Sequence, residues 1–399
     1  MSITQDATIT TDTAAQLRAI VEELSARFFE RGEVAELLMT TMLAGQHALI
    51  LGPPGTAKSE LARDLSSRIT SARYYETLLT KFTDPKSVFG PVDVAALTRG
   101  EYRQVLEGHA TQAHFLFLDE IFKCSSAALN ALLSLLNERL YHSEAGGGVI
   151  KCDLISCISA SNELPDGEEL AAIFDRLLVR VEVAYLAEDA NFAALLESAV
   201  VRRGGDHRTT VDLVDFQLAV DVDVPAIGLP TGVVTTISKL RAELLRAGIA
   251  ASDRRWRQAI RLLQAAAYLD GRDAVDEDDL AVLAHVLWAS PSERPTVERL
   301  VLAAGNPTTK VVKEVEELFA DLDATFAKLL PGSRATLSEW AIKEAKPKLT
   351  RASTQLARLR KAAVTDGRST VRIDKVIRTH RALQSKLYTE ALGFDPTQS

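Results

Sequence analysis

Apolar residues recur at helical spacing between Ala14 and Met42: Leu17, Ile20, Val21, Leu24 and Phe28, then Leu37 and Leu38, with Leu43 just beyond. A period near 3.6 predicts amphipathic helix. The pattern then changes. His47-Ala-Leu-Ile-Leu51 is a short apolar run that predicts a buried strand, Gly52-Pro-Pro-Gly55 breaks it, and helical spacing resumes from Lys58 to Arg68. Further buried strands are predicted over His114–Leu118, Leu154–Ser161 and Leu178–Val183, with a helix over Ser126–Leu140 and a Gly-rich hairpin over Leu140–Lys151. Strands alternating with helices imply an α/β fold with a doubly wound parallel sheet.

After about Glu188 the pattern is helical. Helices are predicted over Asn191–Arg203, Thr231–Ala247, Asp253–Leu269 and Asp276–Trp288. Val211–Pro230, with Asp212, Asp215, Asp221 and Asp223, reads as an acidic loop, and Ser290–Pro295 as a linker. From Thr296 onward the chain is mostly helical, with a basic stretch over Lys343–Arg360. That stretch reads first as a solvated helical face and secondly as a docking surface.

Composition narrows the function. The 399 residues are 47% hydrophobic and 25% charged, ordinary for a globular chain with a sizeable core, and the formal net charge is −8. That balance argues against a protein whose main task is to wrap nucleic acid, since phosphates demand a basic surface. Three cysteines, Cys124, Cys152 and Cys157, make no disulfide framework, and the reducing cytoplasm is the simplest compartment. Residues 1–13 are Thr-rich, without a basic or apolar run, and read as a disordered tail rather than a signal peptide. No stretch approaches the roughly 20 apolar residues of a membrane helix. The seven histidines show no metal spacing; His47 and His114, at strand starts, read as structural.

Three short motifs carry chemistry. Gly52-Pro53-Pro54-Gly55-Thr56-Ala57-Lys58-Ser59 joins a strand to a helix. Such a loop turns backbone N–H groups toward a phosphate, and the helix N-terminus favours the same charge. Lys58 would reach the outer phosphates and the Ser59 hydroxyl would ligate Mg²⁺. Ala57 replaces the Gly that usually precedes the Lys, an exchange acceptable with a negative φ. Phe115-Leu-Phe-Leu-Asp119-Glu120 then delivers two carboxylates to a strand's C-terminal end, where α/β sheets bind ligands. Asp119 would hold Mg²⁺ through water, and Glu120 would orient the attacking water. Asn162, after the strand ending at Ser161, can sit beside Glu120 as a sensor of the terminal phosphate.

With Phe82-Thr-Asp-Pro-Lys-Ser-Val-Phe-Gly-Pro91, Phe117-Leu-Asp-Glu-Ile121 and Ser161-Asn-Glu-Leu-Pro165, these motifs resemble the MoxR family of AAA+ ATPases over about Ala14–Trp288. Ser252-Asp-Arg-Arg-Trp-Arg-Gln-Ala-Ile-Arg-Leu-Leu263 is similar to the RavA branch. The resemblance implies a P-loop NTPase with an αβα core over 14–187, an all-α lid over 188–290 and a helical C-terminal extension over 291–399. It implies ATP and Mg²⁺ as cofactors and a ring of identical subunits, a hexamer. It also implies chaperone-like remodelling of protein clients with a von Willebrand factor A domain partner. Arg176 matches the arginine finger that reaches a neighbour's site, with Arg180 as the alternative. Arg254 matches the lid's sensor arginine, with Arg255 adjacent. Phe82–Ala110 fits the family's β-bearing insert, which with the hairpin would face the ring's pore. Two rivals are a nucleic-acid motor and a nucleotide-gated scaffold with little turnover.

Overall fold

The four predicted strands and one that the sequence pattern did not reveal form one parallel sheet: β1 (Ala48–Leu51), β2 (Tyr74–Leu78, half-buried and not an apolar run), β3 (Phe115–Asp119), β4 (Ser156–Ser161) and β5 (Val179–Glu182). Their order across the sheet is β2-β3-β4-β1-β5, with Leu51 beside both Ser161 and Glu182, and Leu118 beside Ser159. β1 and β4 are buried along their whole length; β1 accordingly reads as an unbroken apolar run, whereas β4 carries the small buried serines Ser156, Ser159 and Ser161. All five strands end on the same edge of the sheet, so the residues after Leu51, Leu118 and Ser161 meet there.

The computed structural model describes residues 7–143, 148–165, 168–200, 208–305, 309–330, 333–365, 370–387 and 389–390. They divide into two compact units, one of residues 1–234, 244–275 and 282–297, the other of 235–243, 276–281 and 298–399. No helix among the described residues is long and apolar enough to cross a membrane.

In the first unit, helix Ala7–Arg27 packs beside Gly32–Leu43, and helices Lys58–Ser67 and Ser126–Glu138 follow β1 and β3. The two strand-start histidines are pins. His47 Nδ1 accepts the Cys157 amide at 2.9 Å and His114 Nδ1 accepts the Arg73 amide at 2.9 Å, each buried among apolar strands.

Several expectations need correction. Helix begins at Ala7, inside the stretch read as a disordered tail; residues 1–6 lie outside the described residues. The acidic segment after Val211 is helical: Asp212 caps Leu213–Leu218 by accepting the Val214 amide, and Phe216 packs edge-on against Phe115 at 5.6 Å. The four aspartates masked this buried stripe. A wider π turn over Ala219–Asp223 continues it, two residues before Pro225. Proline has no N–H for the carbonyl four residues back and crowds it, so the turn opens. Asp279–His285 is a 3₁₀ stretch rather than the helix expected over Asp276–Trp288. Helix resumes at Arg294, within the expected linker. Phe82–Ala110 holds two short helices, Pro85–Phe89 and Val94–Leu97, and a single β-bridge between Val92 and Gln104 instead of strands. The hairpin is present as Leu140–His142 against Val149–Lys151; residues 144–147 of its tip, and 201–203 of the expected Asn191–Arg203 helix, lie outside the described residues.

The second unit is helical. Thr309–Leu329, Lys346–Thr365 and Val371–Leu387 bury Phe319, Phe326, Leu349, Leu356, Val376 and Leu383 against one another. Here too a π turn, Ala341–Ala345, stands two residues before a proline, Pro347. The basic side chains of Lys346, Lys348, Arg351 and Arg358 are exposed, as a solvated face requires.

Candidate active site

The loop after β1 is shaped by close backbone packing. Gly52 donates its amide to Ser161 O at 3.1 Å, and a Cβ on it would stand 2.2 Å from Val183 O. Only glycine fits there. Gly55 has φ +78°, and Thr56 Oγ1 closes the turn on Pro53 O at 2.9 Å. Ala57, expected to keep a negative φ, has φ +62° and ψ +22°. A Cβ in this left-handed conformation costs about 1–2 kcal/mol. The loop therefore adopts the backbone that the usual glycine would give, strain included.

Beyond Ala57 the helix N-terminus begins, and Lys58 folds back over the loop. Its Nζ donates to Gly52 O at 2.6 Å, Pro53 O at 2.9 Å and Asn162 Oδ1 at 2.9 Å. Burial lowers the Lys58 pKa, while Asp119 and Glu120 work against that shift. Asn162 Nδ2 in turn donates to Glu120 Oε1 at 2.7 Å. Three residues from three separate sequence motifs thus form one hydrogen-bonded chain at the sheet's carboxyl edge. Asp119 lies at the same edge and accepts the Glu120 amide at 3.0 Å. Burial holds its carboxyl above the ordinary value, and neighbouring Glu120 adds to the shift. A partly buried carboxylate of this kind gains from a cation.

A cleft of about 1,580 Å³ opens over the loop. Pro54 to Glu60, Asp119, Glu120 and Asn162 line it, together with the apolar and aromatic Phe28, Tyr185, Phe192 and Leu195 and the charged Glu23, Arg27, Arg31, Arg68 and Arg208. Tyr185 and Phe192 are more than half exposed.

The sequence did not single out the turn between the first two helices. Glu30, at φ +57°, accepts the amides of Ala187 (2.9 Å) and Glu188 (3.0 Å) and the side chain of Asn191 (3.1 Å). These amide bonds hold its carboxyl below its usual value. Buried Arg31 donates to Thr56 O at 3.5 Å and also to Ala184 O. The only signal in the sequence was a charged Glu-Arg-Gly break within an otherwise continuous helical pattern.

The arginines are placed differently from one another. Arg176 ends the helix Glu168–Arg176, with Nη1 on Ala172 O at 2.6 Å, and is not among the residues lining the cleft. Its alternative, Arg180, is 1% exposed. The Arg180 guanidinium lies 3.8 Å from the Phe174 ring centroid and bonds the carbonyls of Leu177, Phe174 and Trp288. Enclosed so, Arg180 cannot reach a neighbouring subunit. Arg254 is exposed and bonds Asn137 Oδ1, away from the cleft lining. Arg255 is buried and grips Val286 O at 2.7 Å and the Asp175 carboxylate at 2.7 Å. Among the described residues no cluster of three or more His, Cys, Asp or Glu could hold a metal by itself.

Comparisons with known proteins agree with this arrangement. Residues 15–217 match the family model of the MoxR domain in MoxR-vWA-beta-propeller ternary systems, and residues 232–301 match an AAA lid domain. Two uncharacterised proteins of Methanocaldococcus jannaschii are similar. One is 35% identical over 311 residues, 77% of this chain and 80% of its own; the other is 34% identical over 312 residues, 77% and 79%. A crystal structure from Cytophaga hutchinsonii, described as a candidate ATPase, superposes with a TM-score of 0.60 at 16% identity. It covers 74% of this chain and 96% of its own, a likeness of fold. With half of its length on one family model, and with the Gly52–Ser59 loop, the Asp119–Glu120 strand end and Asn162 gathered at one edge of the sheet, the chain belongs to the MoxR family of AAA ATPases, in the group found with vWA and β-propeller proteins.

Proposed function

We propose that this protein hydrolyses ATP as a ring of identical subunits, a hexamer, and uses the cycle to remodel protein complexes with a vWA-domain and a β-propeller partner. The observation that carries hydrolysis, rather than binding alone, is the Lys58–Asn162–Glu120 chain. It joins a phosphate-binding cation, an amide able to sense the phosphate, and a carboxylate able to orient water. All three functions are needed when positioning and electrostatics do the catalytic work.

The amides of Gly55 to Ser59 and Lys58 would hold the phosphates, and the aromatic side chains in the lining, Phe28, Tyr185 and Phe192, would take the base. Ser59 and Asp119 suit Mg²⁺, which when bound neutralises charge on the phosphate oxygens. Entry of a triphosphate would draw Lys58 and Asn162 onto its oxygens and free Glu120 Oε1 to accept a proton from water. Arg176 would complete a neighbour's site; its place off its own cleft is what that role asks for. Arg254, from the RavA-like segment, would act as the lid sensor once subunits assemble. Motion of the lid against the core would then carry the hydrolysis step to partners and client.

The test is ATPase rate per subunit against protein concentration for wild type, Glu120→Gln, Arg176→Ala and a mixture of the two variants. A rate that rises with concentration, is lost in each variant and partly returns on mixing supports shared sites. A flat, near-zero wild-type rate, alone and with a vWA partner, would rule the reading out.

A further inference from the structure

Glu120 has two carboxylate oxygens, and different kinds of group hold them. Oε1 accepts from Asn162, which belongs to the phosphate-facing chain with Lys58. Oε2 is enclosed from solvent and accepts no hydrogen bond; its partner is the charge of Lys123, whose Nζ stands 3.1 Å away as an ion pair. Lys123 closes the 3₁₀ turn Ile121–Lys123, its amide bonded to Glu120 O at 2.8 Å, so backbone and side chain both tie it to Glu120. Its side chain is 45% exposed and is not among the residues lining the cleft.

This asymmetry has a chemical consequence. A bound triphosphate competes for Lys58 and Asn162 but not for Lys123, which lies off the cleft. We propose that Lys123 is a positioning residue for the hydrolytic carboxylate: it anchors Oε2, so that nucleotide binding releases Oε1 alone, aimed at the attacking water. The proposal rests on the hydrolytic reading of Glu120 given above. An exposed ion pair usually contributes little to stability, so the expected effect is on the rate and not on the fold.

The experiment uses the full-length protein with Lys123→Met, which keeps the stem and removes the charge, and Lys123→Arg, which keeps the charge. Affinity for a fluorescent ATP analogue is measured beside kcat and KM. In Lys123→Met, kcat falls about ten- to a hundredfold, the cost of a misplaced group, while KM and analogue affinity stay unchanged; Lys123→Arg recovers most of the rate. An unchanged or increased kcat in Lys123→Met, or a loss expressed only in KM, overturns the proposal. A structure with a non-hydrolysable ATP analogue decides it independently of turnover. Lys123 should remain on Oε2 while Asn162 leaves Oε1, and release of both contacts together overturns it. A wild type that binds the analogue but never hydrolyses ATP counts against the proposed function, and this structural outcome still decides the role of Lys123.

Discussion

The Gly52–Ser59 part of the cleft and the group of Arg176, Arg180, Arg254 and Arg255 are built on opposite plans. In the first, the arrangement is local: Gly52–Ser59, Asp119–Glu120 and Asn162 each follow a strand, and the parallel sheet brings their ends together. In the arginine cluster, four side chains of the same type are sorted only by burial and partner. Arg180 and Arg255 are enclosed, whereas Arg254 is exposed and Arg176 half-exposed. The first plan can be read from short motifs. The second depends on residues distant in sequence, such as Trp288 for Arg180, Asn137 for Arg254, and Asp175 and Val286 for Arg255.

The sharpest way to break this contrast is to exchange the fates of Arg176 and Arg180. Arg176→Ala should lower kcat by about a thousandfold or more, as expected for a finger, with little change in Tm. Arg180→Ala should do the reverse, leaving three carbonyls and two rings without their cation and lowering Tm clearly even at low concentration. Equal rate losses at equal Tm would erase the distinction.

A smaller effect separates the adjacent pair. Arg255→Ala removes charge-assisted bonds from a buried site and should cost about 1.5–3 kcal/mol, read by urea denaturation. Arg254→Ala, whose bond to Asn137 is exposed, should cost about 0.5 kcal/mol or less but reduce assembly-dependent ATPase.

The strand-start histidines give a pH test of the sheet itself. Burial is the largest cause lowering both pKa values, His47 well below the ordinary value and His114 less so, with neighbouring Arg139 and Arg73 adding to the shift. A histidine with a depressed folded-state pKa contributes stability above its unfolded pKa, near 6.5, and loses it as pH falls toward the folded value. Tm should therefore drop as pH is lowered from 7 toward 5. His114→Asn, which keeps an acceptor for the Arg73 amide, should flatten part of that slope; an unchanged slope would remove His114 from the account.

The smallest expected effect is at Ala57. Replacing it with Gly relieves the left-handed strain of about 1 kcal/mol, partly offset by the entropy glycine loses on folding, about 0.5–1 kcal/mol. A net gain within about 1 kcal/mol, with nucleotide affinity unchanged, is expected in chemical denaturation. A marked loss of stability would contradict the φ of +62°.

Much of the sheet was legible because burial on both faces writes a strand as an uninterrupted apolar run, as in Ala48–Leu51 and Phe115–Leu118. That Gly52–Ser59, Asp119–Glu120 and Asn162 meet at one sheet edge was legible because each short motif directly follows a strand; the phosphate chemistry proposed for them asks for such residues side by side in sequence. Three things were not. The helical turns after Val211 were hidden by four aspartates, of which Asp212 caps the helix and Asp223 accepts from Tyr268 while Asp215 and Asp221 are exposed. The conformation of Ala57 was set by the loop as a whole, against the preference of its own side chain. Lys123, Glu30 and Arg31 act through backbone partners or through a neighbour's carboxylate, contacts that leave no motif.

Glu30 and Arg31 have one more consequence. Arg31 grips Thr56 in the phosphate loop and Ala184 beyond β5, while Glu30, its covalent neighbour, holds the amides that open the Asp189–Val200 helix. Two adjacent residues therefore link the proposed phosphate loop to the first helix after the sheet, like a fulcrum. A shift of Thr56 by a few tenths of an ångström would strain the Arg31 bond and tip that helix at its root. If the loop holds a nucleotide as proposed, its state would thus reach the first helix of the expected 188–290 lid directly, before any neighbouring subunit takes part.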